Sequence, residues 1–273
     1  MEGSKMHDGG TVSYYNYYSV LDRPEILQFV FYPRKDAKIG PLNSNDYSVP
    51  VEDKISIGCR FYIHGQSSPS ILFFHGNGEV VSDYDDIADT YNKQGINLFV
   101  ADYRGYGTSG GTPTFTNMVS DAHCVFKAFA DILHSNHHSS DVFVMGRSLG
   151  SVSAIELASS YQQQMKGLII ESGFASILRL LKYIGFTSEF LDINDITFPN
   201  MAKMRSVNLP TLILHGEHDS IIPVTEAKDL FESAATERKH LVIISGADHN
   251  DIMLVGREKY FKSIREFVLE SRA

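Results

Sequence analysis

Six short apolar runs recur along the chain, each followed by a longer stretch of helical period: SILFFHG (70–76), INLFVADY (96–103), DVFVMG (141–146), KGLIIES (166–172), PTLILHG (210–216) and HLVIIS (240–245). Each run is almost continuously hydrophobic, as a strand must be when both of its faces are covered. Between them lie amphipathic segments. Thr114 to Asn136 carries Val119, Ala122, Val125, Phe126, Phe129 and Leu133 at spacings of three and four, and the C-terminal stretch repeats the pattern with Tyr260, Phe261, Ile264, Phe267 and Val268. This alternation predicts an α/β fold: a mostly parallel central sheet with helices on both faces. Upstream, ILQFVFYP (26–33) and ISIGCRFYIHG (55–65) predict an antiparallel N-terminal strand pair leading into that sheet. With no internal repeat or low-complexity linker, residues 25–273 are expected to form one domain. Residues 1–24, polar and tyrosine-rich, are expected to be partly disordered, and 173–210 reads as a short cap insertion.

Charge narrows the partners. A net charge of -9 over 273 residues argues against nucleic acid or anionic lipid, both of which require basic patches. Cys59 and Cys124 are too few for a zinc quartet or a disulfide framework and read as small apolar core residues. The N-terminal stretch MEGSKMHDGGTVSYYNYY has no apolar signal core, and no run reaches the roughly 20 apolar residues of a membrane span, so no integral membrane segment and a cytoplasmic location are expected. The histidines of HSNHHSSD (134–141) could ligate a metal, but the segment falls where a helix-to-strand loop belongs, and a solvated loop is the reading adopted; no metal site is assigned.

The strand DVFVMG runs with almost no loop into the helical stretch SVSAIELA, with GRSLG (146–150) at the corner. In an open parallel sheet, ligands bind beyond the carboxyl ends of the strands. A strand–serine–helix turn therefore presents the Ser148 hydroxyl at that rim on strained backbone, with Gly146 and Gly150 allowing strand and helix to approach. Helix N–H groups directed at the same point suit an oxygen that acquires negative charge. A serine hydroxyl needs a base, and the base an orienting acid. Asp219 follows the strand in LILHGEHDSIIP, and His249 follows the last strand in LVIISGADHNDI, so Ser148, Asp219 and His249 all fall at strand ends. Each has a plainer explanation: Asp219 as a turn or helix-cap residue, His215 and His218 as rival bases, Asp248 and Asp251 as local partners of His249. The turn FFHGNGE (73–79) follows the first parallel strand and suggests an oxyanion hole formed by the backbone N–H groups of Asn77 and Leu149. ADYRGYGTSGGTPT (101–114) reads as scaffold, with Tyr103 and Arg104 as candidates to buttress that turn.

Taken together, HGNGE (75–79), DYRGYGTSGGTPT (102–114), GRSLGS (146–151), HGEHDSIIP (215–223) and GADHND (246–251) make the chain resemble the α/β-hydrolase superfamily. Within it, the likeness is to small-capped serine hydrolases that include esterases, lysophospholipases and acyl-protein thioesterases. The resemblance implies the α/β-hydrolase fold, catalytic roles for Ser148, Asp219 and His249, oxyanion donors at Asn77 and Leu149, and no metal or organic cofactor. Membrane-acting relatives carry a cysteine-rich anchor or a transmembrane helix, and neither is visible here.

The expected activity is hydrolysis of small-molecule carboxylic esters with short or medium acyl chains through an acyl-enzyme. The alternatives are an amidase, peptidase or acyl-thioesterase of the same fold, and a non-catalytic binding module. Phe174, Ile177, Leu178 and Leu181, continued by Ile184, form a helical stripe that fits either an acyl pocket lining or core packing against the sheet. No reading of oligomeric state is possible from the sequence.

Overall fold

The computed structural model of the protein describes residues 15–186 and 199–271. Eight strands form one sheet in the order β1-β2-β4-β3-β5-β6-β7-β8. These are β1 (Ser44–Glu52), β2 (Ile55–Tyr62), β3 (Ser70–Phe74), β4 (Asn97–Ala101), β5 (Val142–Arg147), β6 (Gly167–Glu171), β7 (Thr211–Gly216) and β8 (Lys239–Ile244). Pairings from β4 and β3 through to β8 are parallel, while β1 with β2 and β2 with β4 are antiparallel. The chain passes from β3 to β4 on one side and then crosses to β5 on the other. This reversal opens a crevice at the carboxyl ends of β3 and β5.

The near-continuous apolar runs have the predicted cause. Leu72, Phe74 and Val144 pack into one core cluster, and Ile71, Phe73, Phe143 and Met145 into another, so neighbouring residues of one strand serve opposite faces. The first face is covered by α4 (Phe115–Ser135) and α5 (Ser151–Ser160), the second by α3 (Asp85–Lys93) and α10 (Arg257–Glu270). The Thr114 hydroxyl accepts the Asn117 N–H at 3.0 Å and caps the start of α4.

One element departs from expectation. Residues 26–33 do not pair with β2; α2 (Pro24–Val30) occupies most of that stretch, after α1 (Tyr15–Leu21). Pro24 begins α2, where its fixed φ suits the first turn and its missing N–H costs nothing. Ile26 and Val30 are the buried residues of α2, four apart as a helix requires. The true partner of β2 is β1, SNDYSVPVE, a half-exposed edge strand with a register shift after Pro50. Its polarity concealed it. Of residues 1–24, where partial disorder is expected, 1–14 lie outside the described residues, whereas 15–24 hold α1, with Tyr18 and Leu21 buried, and the start of α2.

The remaining helices are α6 (Ile177–Tyr183), α7 (Pro199–Met204), α8 (Val224–Ser233) and α9 (Ile252–Val255). Both α6 and α7 lie within the insertion between β6 and β7.

Candidate active site

The corner after β5 is built from backbone crowding. A Cβ at Gly146 would lie 2.4 Å from the Gly150 carbonyl oxygen, and a Cβ at Gly150 would lie 2.1 Å from the Phe74 carbonyl oxygen. Neither obstacle is a side chain that could swing away. Ser148 itself sits at φ 51°, in the left-handed region that costs a non-glycine residue energy. The following short 3-10 turn, Ser148–Gly150, leads directly into α5.

Two loops bring partners to this hydroxyl. His249, in the segment between β8 and α9, faces Ser148 Oγ with Nε2 at 3.0 Å and Asp219 Oδ2 with Nδ1 at 2.7 Å. All three residues are buried. Asp219 is held in turn by its other oxygen, which accepts the N–H groups of Ile221 at 3.0 Å and Ile222 at 2.7 Å. An acidic oxygen on Nδ1 keeps the proton there and leaves the Nε2 lone pair toward the serine. The rival histidines differ. His218 is exposed, while His215 is buried, donates from Nε2 to the Ile222 carbonyl at 2.8 Å and sits 3.3 Å from Asp219. Burial holds the His215 imidazole below its ordinary value, so it acts as a neutral neighbour of the acid.

The turn after β3 is locked from several sides. His75 Nε2 meets Asp102 Oδ1 at 3.1 Å, and the Tyr103 hydroxyl donates to the His75 carbonyl at 2.6 Å. Tyr103 thus buttresses the turn as expected. Arg104 does not: it pairs instead with Asp121 on α4 and Glu52 at the end of β1. The Asn77 side chain has a function that its sequence context concealed. Its Oδ1 accepts the Tyr106 hydroxyl at 2.7 Å and the Tyr32 N–H at 3.1 Å, and its Nδ2 donates to the Val30 carbonyl. Asn77 therefore bolts the end of α2 to the turn.

A cavity of about 260 Å³ opens beside Ser148 and His249. Its apolar wall comes from Phe29, Val30 and Tyr32 on one side and Leu180, Ile184 and Ile221 on the other. Asn77, Leu149, Arg147 and Asn250 complete it. The rings of Phe29 and Phe186 meet with centroids 5.4 Å apart. Phe174, Ile177, Leu178 and Leu181 are absent from this lining; all four are buried in the core cluster. The reason is rotation about α6. Ile177, Leu178 and Leu181 join the core cluster without reaching the cavity, Arg179 and Tyr183 bind the buried Glu226 on α8, and Leu180 and Ile184 extend from the cluster to the cavity. Residues 187–198 of the insertion lie outside the described residues.

The family model described as serine aminopeptidase, S33, matches residues 65–201 and 183–253. The chain belongs to the α/β-hydrolase superfamily. Human alpha/beta hydrolase domain-containing protein 17B is 30% identical to this hydrolase over 220 residues, which cover 78% of this chain and 70% of the human one. An uncharacterized membrane protein of Saccharomyces cerevisiae is 28% identical over 223 residues, 80% of this chain and 77% of its own. Among solved structures, the Pyrococcus furiosus esterase Pf2001 has a TM-score of 0.71 at 19% identity, covering 88% of this chain and 99% of that one. Among the described residues, no helix of this hydrolase is long and apolar enough to cross a membrane.

Two groups of site residues escaped sequence reasoning. The α2 wall was signalled by Pro24 followed by apolar residues four apart, a helical cue overridden by the β-branched and aromatic content of the run. The second is a charge cluster of the buried Arg147 and Glu171 with the partly buried Glu79. Each member stood inside a recognised motif or strand, at a position whose side chain carried no pattern.

Proposed function

We propose that the protein is a serine ester hydrolase that cleaves carboxylic esters with short or medium acyl chains. The observation that carries this reading is the alignment of Ser148 Oγ, His249 Nε2, His249 Nδ1 and Asp219 Oδ2 at 3.0 and 2.7 Å beside a largely apolar cavity. His249 accepts the Ser148 proton as the oxygen attacks the ester carbonyl, and Asp219 stabilises the imidazolium that forms. The carbonyl oxygen becomes an oxyanion, held by the N–H groups of Leu149 and Asn77. Collapse breaks the bond to the leaving oxygen, which takes the proton from His249. Water, deprotonated by the same imidazole, then releases the acid and restores Ser148. No step requires a metal or organic cofactor.

The cavity supports an acyl rather than an amino-terminal substrate. An aminopeptidase needs a carboxylate to receive a free α-ammonium group, and among the described residues that line the cavity there is none. Phe29, Val30, Leu180 and Ile184 instead suit the methylenes of an acyl chain, each contributing about 0.8 kcal/mol when buried. An acyl-thioester presents the same chain and carbonyl, so thioesters are the neighbouring class. The cytosol is the location adopted in this reading; recovery of the full chain in a washed membrane pellet would count against it.

A p-nitrophenyl ester panel from acetate to palmitate, run beside the matching anilides and acyl-thioesters, tests the reading. Ester turnover should peak at butyrate to octanoate and exceed anilide turnover by about 100-fold or more. Faster anilide than ester cleavage would overturn it. Ile184→Trp should fill the pocket and lower the octanoate-to-acetate ratio of kcat/KM by about 10-fold.

A further inference from the structure

Arg147 immediately precedes Ser148, is buried, and lines the cavity. Its guanidinium reaches three separate segments. Nη1 lies 3.0 Å from Glu79 in the turn after β3, and Nε lies 3.1 Å from Glu171 at the end of β6. Nη2 donates to the His249 backbone carbonyl at 3.0 Å and to Asn250 Oδ1 at 3.2 Å. The carboxylates are themselves anchored. Glu79 accepts the Gly76 N–H and the Tyr84 hydroxyl, both at 2.7 Å, and Glu171 accepts the Tyr260 hydroxyl at 2.6 Å. Burial works to raise the Glu79 carboxyl, but Arg147 and Tyr84 outweigh it and hold Glu79 below the ordinary carboxylate value. Burial does push Glu171 up, against the pull of Arg147.

Charge balance alone would be met by ion pairs with Glu79 and Glu171. The bonds to the uncharged His249 carbonyl and to Asn250 go beyond it. They tie the strand end that carries Ser148 to the loop that carries His249, while the Glu79 contact ties the same strand end to the turn that carries Asn77. A planar fork with fixed donor directions can hold three segments at once; the single ammonium of lysine cannot. We propose that Arg147 is a positioning residue, which sets the Ser148–His249 distance and the geometry of the oxyanion turn together through the His249 backbone and the Glu79 carboxylate. The inference rests on the ester-hydrolase reading of the site, but its test separates the two.

The full chain and its Arg147→Lys, Glu79→Gln and double variants are compared in p-nitrophenyl butyrate hydrolysis and in the rate at which a fluorophosphonate labels Ser148. Lysine keeps the buried charge and removes the fork. Arg147→Lys should lower kcat and the labelling rate together by about 10- to 100-fold, since misplacement near 1 Å costs about that much, with KM changed less than about twofold. Glu79→Gln should lower both about 5-fold. The double variant should be no slower than Arg147→Lys alone, because both changes cut one linkage. Wild-type kcat and labelling in Arg147→Lys, or effects that multiply in the double variant, would overturn the proposal. Should Arg147→Lys fail to fold, an unchanged kcat in Glu79→Gln overturns it equally. A wild type that neither labels nor turns over ester removes the functional reading instead; a labelled, active wild type beside an undisturbed Arg147→Lys removes only the positioning role.

Discussion

The corner at Ser148 and the wall of the adjoining cavity are built on opposite principles. At the corner, backbone presses on backbone: Gly146 against Gly150, Gly150 against Phe74, and a serine held at φ 51°. The wall is assembled from α2 and α6, and side chains hold it there. Asn77 grips the end of α2, and Glu226 holds α6 through Arg179, Tyr183 and the Ala175 N–H. Away from the wall, Lys203 of α7 likewise joins Tyr18 of α1 to Glu156 of α5. Backbone crowding admits almost one residue type, so it leaves a mark in the sequence. Side-chain anchoring can be met by many pairs of residues and leaves little.

That contrast can be broken by experiment. The largest effect should come at the corner itself. Ser148→Ala should reduce ester turnover by about 10⁴-fold or more while the melting temperature stays within a few degrees, as measured by steady-state hydrolysis and thermal unfolding. Undiminished turnover would remove Ser148 as nucleophile. Next, Gly150→Ala adds one methyl group against the Phe74 carbonyl. It should destabilise the fold by about 3 kcal/mol or more in urea titration and abolish fluorophosphonate labelling, because the obstacle cannot rotate away. A stable, reactive Gly150→Ala protein would show that the corner is less constrained than its contacts imply.

The wall should yield more gently. Asn77→Ala keeps the backbone N–H but releases Val30 and Tyr32. It should raise KM for octanoate about 5-fold and leave acetate hydrolysis within about twofold, a split that a damaged oxyanion hole would not produce. Glu156→Gln should have the smallest effect on catalysis. Burial opposes the Glu156 charge, but His123 and Lys203 more than offset it and hold the carboxyl at about 2 instead of 4.5. A depressed acid stabilises the fold fully above its unfolded value and loses that contribution as pH falls through its folded value. Wild type should therefore exceed Glu156→Gln by on the order of 3 kcal/mol at pH 7, with a gap that closes between about pH 4.5 and 2. Specific activity at pH 7 should match wild type, since the tie lies away from Ser148. A gap independent of pH would mean that the pair contributes packing and no electrostatics.

The parallel strands were legible because both faces of each are covered, which demands continuous apolar runs, as in Phe143 to Met145. Edge strand β1 was not, since half of its surface meets solvent and its residues are polar. Ser148, Asp219 and His249 could be picked out because each stands next to a strand end, where topology itself selects the position. Arg147 could not: a charged residue between Gly146 and Ser148 has no meaning until Glu79, Glu171 and the His249 carbonyl arrive from elsewhere. Likewise, the stripe on α6 fits a pocket lining or core packing equally well; Phe174, Ile177, Leu178 and Leu181 prove to be core. Only the packing around α6, with Glu226 holding Arg179 and Tyr183, decides that Leu180 and Ile184 reach the cavity.

The sequence by itself determined the parallel sheet, the sharp turn at Ser148 and the places of Ser148, Asp219 and His249 at strand ends, because burial on two faces and close backbone approach restrict residue type locally. Only the tertiary structure decided that α2 lends Phe29 and Val30 to the pocket, which residues of α6 look into it, and that one guanidinium joins three separate segments. Those outcomes depend on distances between segments far apart in the chain, and no local spacing encodes them.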